Sequence, residues 1–309
     1  MLDRICIEGR GGGSAPSVGA RRARAAAMKV RWELVLLPPL VISLVLLLAS
    51  QLVFLKGSLQ RDLGMGVLAP GLTLDNFWEI FTDPYFVSSL WLSLSVSTVA
   101  MVITLLIAFP AAYAIARMGG QLSIVLLAAV VVSSFLSIVV KVLGLLLIFS
   151  SSGPLNRMLL WLGAISEPVT IVGNIPGVIL GLIYYTLGFA ILLFYSIVVT
   201  VPRSLEEAAE VHGASRAGVF RQVVMPLCLP GIAAGALMIF NVNMGGFSST
   251  ALIGAGKILT LPIVIQRVVI LETNYGLGAA LALLLLVVVL VINAFSVLLL
   301  LRARRGMIV

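Results

Sequence analysis

The sequence predicts an all-α polytopic membrane protein with six transmembrane helices and one polar helix–turn–helix on the cytoplasmic side. Three observations lead there. Hydrophobic residues make up 61% of the 309-residue chain and charged residues only 10%, against about 25% charged in an average soluble domain. Six apolar runs, at 34–55, 86–116, 123–149, 174–200, 228–252 and 277–301, are long enough for the ~20 helical residues a bilayer requires. Three of the twelve acidic residues, with the single histidine, crowd into "LEEAAEVHGAS" (205–215), between the fourth and fifth runs.

In chain order, residues 1–27 read "MLDRICIEGRGGGSAPSVGARRARAAA", basic and glycine-rich, with no apolar run long enough for a signal peptide. This segment is expected to be disordered, either a natural tail or an upstream start-site error. The error is favoured, because Met28 opens "MKVRWELVLLPPL", a basic-then-apolar start suited to a helix entering from the cytoplasm. The membrane domain is then 28–309. "LTLDNFWEIF" (72–81) sets acids and aromatics at helical spacing, as in a short helix lying at the outer interface. The second run is over-long and is expected to begin as an interfacial piece. The loop at 150–173 has an apolar centre too short to span, so it is expected to dip back into the bilayer or lie on its surface.

With both termini inside, fourteen of the twenty Lys and Arg face the cytoplasm, five face outward, and Lys141 lies within a run. Without the segment before Met28 the ratio is still nine to five. That asymmetry sets the orientation and makes the net charge of +8 a topology signal rather than a nucleic-acid footprint. A DNA-reading role for Arg216 and Arg221 is disfavoured by their tether to the bilayer. Cys6 and Cys228 make no disulfide framework, and the lone His212 reads as a solvated loop residue, not a metal ligand.

Within the polar segment, Ser204 and Glu207 have capping-box spacing, which predicts a helix from Leu205 with acids in its first turn. Ala208 and Ala209 leave one face bare for close approach by another backbone. Gly213 is expected to end that helix in the left-handed conformation. A second helix is expected from about Ser215 to Met225, where Pro226 stops it, so the polar unit covers 201–227.

"EAAEVHG", followed nine residues later by "VVMP", resembles the pattern E-A-A-x3-G-x9-I-x-L-P of binding-protein-dependent ABC importer permeases. Glu207, Ala208, Ala209, Gly213 and Pro226 match it, while Val223 and Met225 stand in for the isoleucine and leucine. "TLDNF", "AFPAAYAIAR", "GPLNRMLLWLG", "MPLCLPGIAAG" and "GLGAALALLLL" extend the resemblance over about 33–301 and look like spermidine/putrescine-type permeases. The resemblance implies that 28–309 is a permease domain in a bacterial inner membrane, surrounded by lipid, with a cytoplasmic ATPase dimer docking on the loop. A second permease subunit, identical or different, and a periplasmic solute-binding protein complete the implied assembly. Glu207, Ala208, Ala209, Gly213, Val223 and Pro226 become the implied ATPase-coupling residues.

No catalytic residue, cofactor or metal is expected in this chain, ATP being bound by the partner ATPase. "GAGK" (254–257) departs from the phosphate-loop pattern, with Ala251 in place of the first glycine and Ile258 after the lysine. Polyamine, iron(III), a phosphonate or another small organic solute all fit the resemblance. Gly246 stands where such permeases often carry an acid, which argues against a cationic polyamine, and Gly188 replaces a frequent proline. The alternative, proton- or sodium-coupled secondary transport, is disfavoured because Glu167 and Glu272 lie in loops and the runs hold no carboxylate to carry protons.

Four residues are candidates for the solute path. Lys141 lies about 12 Å deep, eight residues from the outer end of the third run, and either serves function or snorkels outward. "NVNMGGFSST" (241–250) places Asn241, Asn243 and Ser248 on an apolar helix that Gly245–Gly246 weakens. These groups either line an aqueous path or bond neighbouring helices. The Gly173/Gly177/Gly181 and Gly231/Gly235 repeats read as tight helix packing.

Overall fold

The computed structural model describes residues 32–64 and 66–306. The expected tail at 1–27 and the start at Met28 lie outside the described residues. Among those described, every regular element is helical, beside one isolated bridge between Asp62 and Leu68. The chain divides within α1 (Trp32–Ser58) into units Met1–Val53 and Phe54–Val309. The described part of the first is an apolar helix that carries Pro38 and Pro39 without interruption.

In the second unit, α2 (Asp75–Thr82) is the short helix expected near the outer interface; Asn76 and Ile80 are buried while Trp78 stays exposed. The Asn76 amide donates to the carbonyls of Ser58 and Gln60, both at 2.9 Å. The next element, α3 (Pro84–Arg117), packs most extensively on α7 (Ile175–Val199), and α10 (Met225–Met244) closes against both. At the end nearest the polar loop, Phe109 and Ala112 of α3 meet Ala190 and Phe194 of α7 and Cys228 and Ile232 of α10. Towards the other end Val96 and Ala100 join Val178, Leu182 and Ile253. A third cluster sets Ile80 and Phe86 against Leu261, Val264 and Leu281.

Lipid tails are as apolar as leucine, so these contacts depend on close approach rather than on escape from water. The glycine repeats supply it. A Cβ at Gly181 would overlap Ile253, and one at Gly235 would stand 2.6 Å from Phe194. Gly188 lies within an unbroken helix, where a Cβ would come 2.6 Å from the Ser134 hydroxyl of the neighbouring helix α4 (Gln121–Phe135).

Among the described residues, five helices are long and apolar enough to cross a membrane, or six if a bent pair is one span. That pair corrects the third run, which is not one helix: α4 ends at Phe135, and α5 (Ile138–Ile148) departs at 103°. Leu136 and Ser137 adopt extended conformations between them. The second run is continuous by contrast. It is one 34-residue helix from its first turn, with Pro84 at the start and the Asp83 carboxylate accepting from the Tyr85 amide. Hydroxyls of Ser88, Ser89, Ser93 and Ser95 bond carbonyls three or four residues back, so this polar third remains helical. The fifth run breaks at Gly245–Gly246 into α10 and α11 (Phe247–Gly254). The loop at 150–173 forms α6 (Pro154–Trp161), and a short helix α12 (Leu261–Gln266) with one π turn (Arg267–Leu271) precedes the final helix α13 (Tyr275–Gly306).

Candidate functional site

The polar segment folds as α8 (Arg203–Val211), a tight turn, and α9 (Arg216–Val219). The expected capping box does not form. Pro202 occupies the cap position without a side-chain bond, and the helix begins at Arg203. Proline holds the entering backbone extended, so Ser204 is already inside the first turn and Glu207 has no cap to complete.

Gly213 ends α8 as expected, with φ +87°. Its amide bonds Glu210 O at 2.9 Å and the Ala214 amide bonds Ala209 O at 3.1 Å, the paired bonds of a Schellman motif. Ser215 caps the next helix by accepting from the Gly218 amide at 3.2 Å. Pro226 does not stop that helix. A π turn at Phe220–Val224 follows α9, with the Met225 amide bonded to Phe220 O, and α10 continues through Pro226. The wider turn accommodates a residue that has no N–H to give. From Arg216 to Met244 the loop and the fifth membrane helix are therefore one 29-residue helical rod.

The two faces of α8 differ. Glu206 turns inward, where its Oε1 meets Arg117 Nε at 2.7 Å and Nη2 at 2.5 Å, and its Oε2 accepts from the Tyr113 hydroxyl at 2.9 Å. Arg117 Nη2 also donates to Val201 O at 3.0 Å and Val198 O at 3.3 Å, and Arg203 donates to Ala116 O at 3.0 Å. A groove of about 430 Å³ is lined there by Tyr113, Arg117, Glu206, Glu210, Arg216 and Val219, among others. On the outer face Leu205, Glu207, Ala208, His212 and Gly213 are exposed, and Val211 is 85% exposed. Ala209 and Val223 are half-buried, and Pro226 is exposed.

Sequence reasoning missed Glu206 as the anchored acid, together with Arg117 and Tyr113. Arg117 lies 89 positions away from its partner, and only its place at the end of the second run hinted at it.

No hydrogen bond joins any two of the four solute-path candidates among the described residues. Asn241 exchanges two hydrogen bonds with Asn293 of α13, at 3.1 and 2.9 Å, the interhelical alternative for this residue. Asn293 was not singled out from sequence. Asn243 is 3% exposed, and neither its Oδ1 nor its Nδ2 has a partner among the described residues. It borders a small cavity with Ser93, Ser97, Thr250 and Thr260. Ser248 is half-buried on α11. Lys141 is only 4% exposed on α5, enclosed by protein rather than snorkelling along its surface. A side chain on Gly246 would stand 2.5 Å from Leu182 and 2.8 Å from Asn243 O, so an acid there would collide with its neighbours.

The family model described as "Binding-protein-dependent transport system inner membrane component" matches residues 21–305. The chain is 32% identical over 237 residues to the spermidine/putrescine transport system permease protein PotB of Haemophilus influenzae, covering 77% of this chain and 82% of the relative. The PotB of Escherichia coli is 33% identical over 208 residues, 67% of this chain and 75% of its own. Among solved structures, a chain of a bacterial ABC transporter that imports the acidic polysaccharide alginate superposes with a TM-score of 0.73 at 21% identity, over 91% of this chain and 99% of that one. A chain of the methionine transporter MetNI, in inward-facing conformations, superposes with a TM-score of 0.57 at 18% identity, over 71% and 95%.

Proposed function

The chain belongs to the family of binding-protein-dependent transport system inner membrane components and is a permease subunit of an ABC importer; we propose that its 203–225 segment is where a separate cytoplasmic ATPase dimer drives it. The observation that carries this reading is the division of α8. One face is anchored to α3 through Glu206, while Leu205, Ala208 and Val211, at helical spacing, present an uncovered apolar strip next to the bare turn at Gly213. A helix tied firmly on one side and apolar on its open side suits docking by a rigid partner. On this reading Glu207, Ala208, Ala209 and Gly213 form the contact, while Val223 and Pro226 start the rod that carries motion inward.

The ion pair brings the end of α3 beside the loop, so Arg117, Arg203 and Arg216 gather at one end of the molecule. A cytoplasmic position for that end, and for both termini, accords with the basic-residue asymmetry. A periplasmic binding protein then delivers solute from the other side, and a second permease subunit supplies the other half of the path. ATP is bound by the partner. Relatives named for spermidine and putrescine transport make a polyamine-type solute the first to test. Asn243, Ser248 and Lys141 are the proposed path contacts, with Asn241 assigned to packing. Family membership sets secondary transport aside.

Cross-linking in the assembled complex tests the docking face. With Cys6 replaced by serine and the buried Cys228 retained as background, cysteines introduced one at a time at Ala208 and Val211 are expected to form adducts with the ATPase, whereas one at Ser95, exposed on α3 away from the loop, is not. Absence of adducts from both loop positions would refute the assignment.

A further inference from the structure

Resting on that reading of the loop, we propose that Arg117, Glu206 and Tyr113 are positioning residues forming a joint that carries movement of the docked α8 into α3 and α7. Glu206 is the only side chain of α8 bonded to side chains of another element among the described residues. Both of its oxygens are engaged, one by Arg117 and the other by Tyr113. Arg117 extends the connection. Its Nη2 reaches the carbonyls of Val198, in the last turn of α7, and Val201, just beyond it, at a helix C-terminus whose dipole favours a cation. Arg203 returns a bond to Ala116 O in the last turn of α3.

The aromatic side of the joint reaches the third central helix. The Tyr113 ring packs edge-on against Phe220 with centroids 4.8 Å apart, and Phe109 lies 5.6 Å from the same ring. Phe220 begins the π turn that leads into α10. One acid on the docking helix is thus connected to the ends of α3, α7 and α10, the three helices that pack on one another through the membrane unit.

The ion pair is largely shielded, with side-chain exposures of 12% for Glu206 and 15% for Arg117. Separating such a pair leaves charge poorly solvated, so displacement of α8 draws Arg117 and its helix with it. The outer face of α8 has no comparable tie. Docking and transmission are therefore assigned to opposite faces of one short helix. Changing the inner face should uncouple the transporter without releasing the ATPase.

The test uses the full complex in lipid nanodiscs and needs no knowledge of the solute. A cysteine on α3 near Ser95 is chosen because its labelling by a membrane-impermeant maleimide responds to ATP plus vanadate in the parent complex. Glu206→Gln and Tyr113→Phe are then introduced separately. Glu206→Gln is expected to keep the ATPase bound at the parental level while the nucleotide-dependent change in labelling shrinks about fivefold or more; Tyr113→Phe should show a smaller loss in the same direction. An undiminished nucleotide response in both variants overturns the joint. Loss of the ATPase from both also overturns it, because Glu206 and Tyr113 would then belong to docking or folding. Failure of the docking reading itself appears separately, as missing adducts from Ala208 and Val211. If Glu206→Gln does not assemble, Tyr113→Phe, which removes one hydroxyl, is judged alone by the same two outcomes.

Discussion

At the loop, Glu206 receives an arginine and a tyrosine hydroxyl, and the arginine's Nη2 also reaches two backbone carbonyls. At the Gly245–Gly246 break, Asn243 is buried with neither amide atom partnered among the described residues, while Asn241 two residues earlier exchanges both of its bonds with Asn293. The first region ties a full charge at the rim of the apolar unit; the second places neutral amides within it. The contrast follows from desolvation. An ion pair is tolerable where its ends remain partly solvated, but deep in an apolar environment its burial cost competes with its attraction. Neutral amides bridge membrane helices at a smaller cost. Polar residues at the rim thus serve a moving joint, and those inside serve packing or the path.

The comparison breaks most visibly if Arg117 is removed. Arg117→Ala leaves Glu206 with only the Tyr113 hydroxyl and takes a donor from Val198 O and Val201 O, and is expected to destabilise the protein by about 3 kcal/mol, read as a fall in detergent-extracted folded protein and in its melting temperature. An unaltered melting temperature would mean that the pair contributes nothing at the rim. Next in size is Gly246→Asp. The added carboxylate meets Leu182 and Asn243 O, and overpacking of this kind costs about 1–3 kcal/mol. Thermal unfolding checks it, and a neutral result would show that the break has slack.

Smaller effects sharpen the interior side. Asn241→Leu and Asn293→Leu should each destabilise by roughly 0.6–2 kcal/mol. The double variant should lose less than the sum of the two, because the second change removes an amide already left without its partner. Strict additivity in a thermal double-mutant cycle would deny the pair. The smallest shift is expected for Asn243→Leu. With no protein partner to lose, an apolar side chain of similar size should cost no stability, because removing an unpaired buried amide relieves its desolvation penalty. If uptake nevertheless falls in that variant, Asn243 belongs to the solute path rather than to the scaffold.

Element type was legible wherever the physics was local. The apolar runs announce their helices, and Gly213 announces its left-handed turn because no other residue adopts φ +87° as readily. Ser215 likewise caps the helix it precedes. What was not legible depended on distant partners or on compensation. In sequence the motif singles out Glu207, and only Arg117, brought in by the α3–α7 packing, reveals Glu206 as the anchored acid. The bend after Phe135 falls in an uninterrupted apolar stretch, where the one cue is the serine cluster at 133, 134 and 137. Pro202 pre-empted the capping box, and a π turn accommodated Pro226. The run at 261–271 is too short to span, and Pro262 in its first turn is the one local sign of a helix start.

The central claim is that the Gly213 turn and the outer face of α8 receive the ATPase, and Gly213→Val tests it most directly. A Cβ there meets nothing within 4 Å, so the substitution brings no clash inside this chain. It forces a β-branched residue into the left-handed conformation, at a cost of about 1–2 kcal/mol, and adds bulk where the partner should approach. Gly218→Ala is the control, inside the helical rod where alanine is the better helix former. Each variant is purified with its ATPase, and the bound ATPase is quantified per permease. Gly213→Val is expected to insert at the parental level yet retain several-fold less ATPase, while Gly218→Ala retains nearly all of it. If Gly213→Val holds the ATPase at the parental level, the loop is not the docking element.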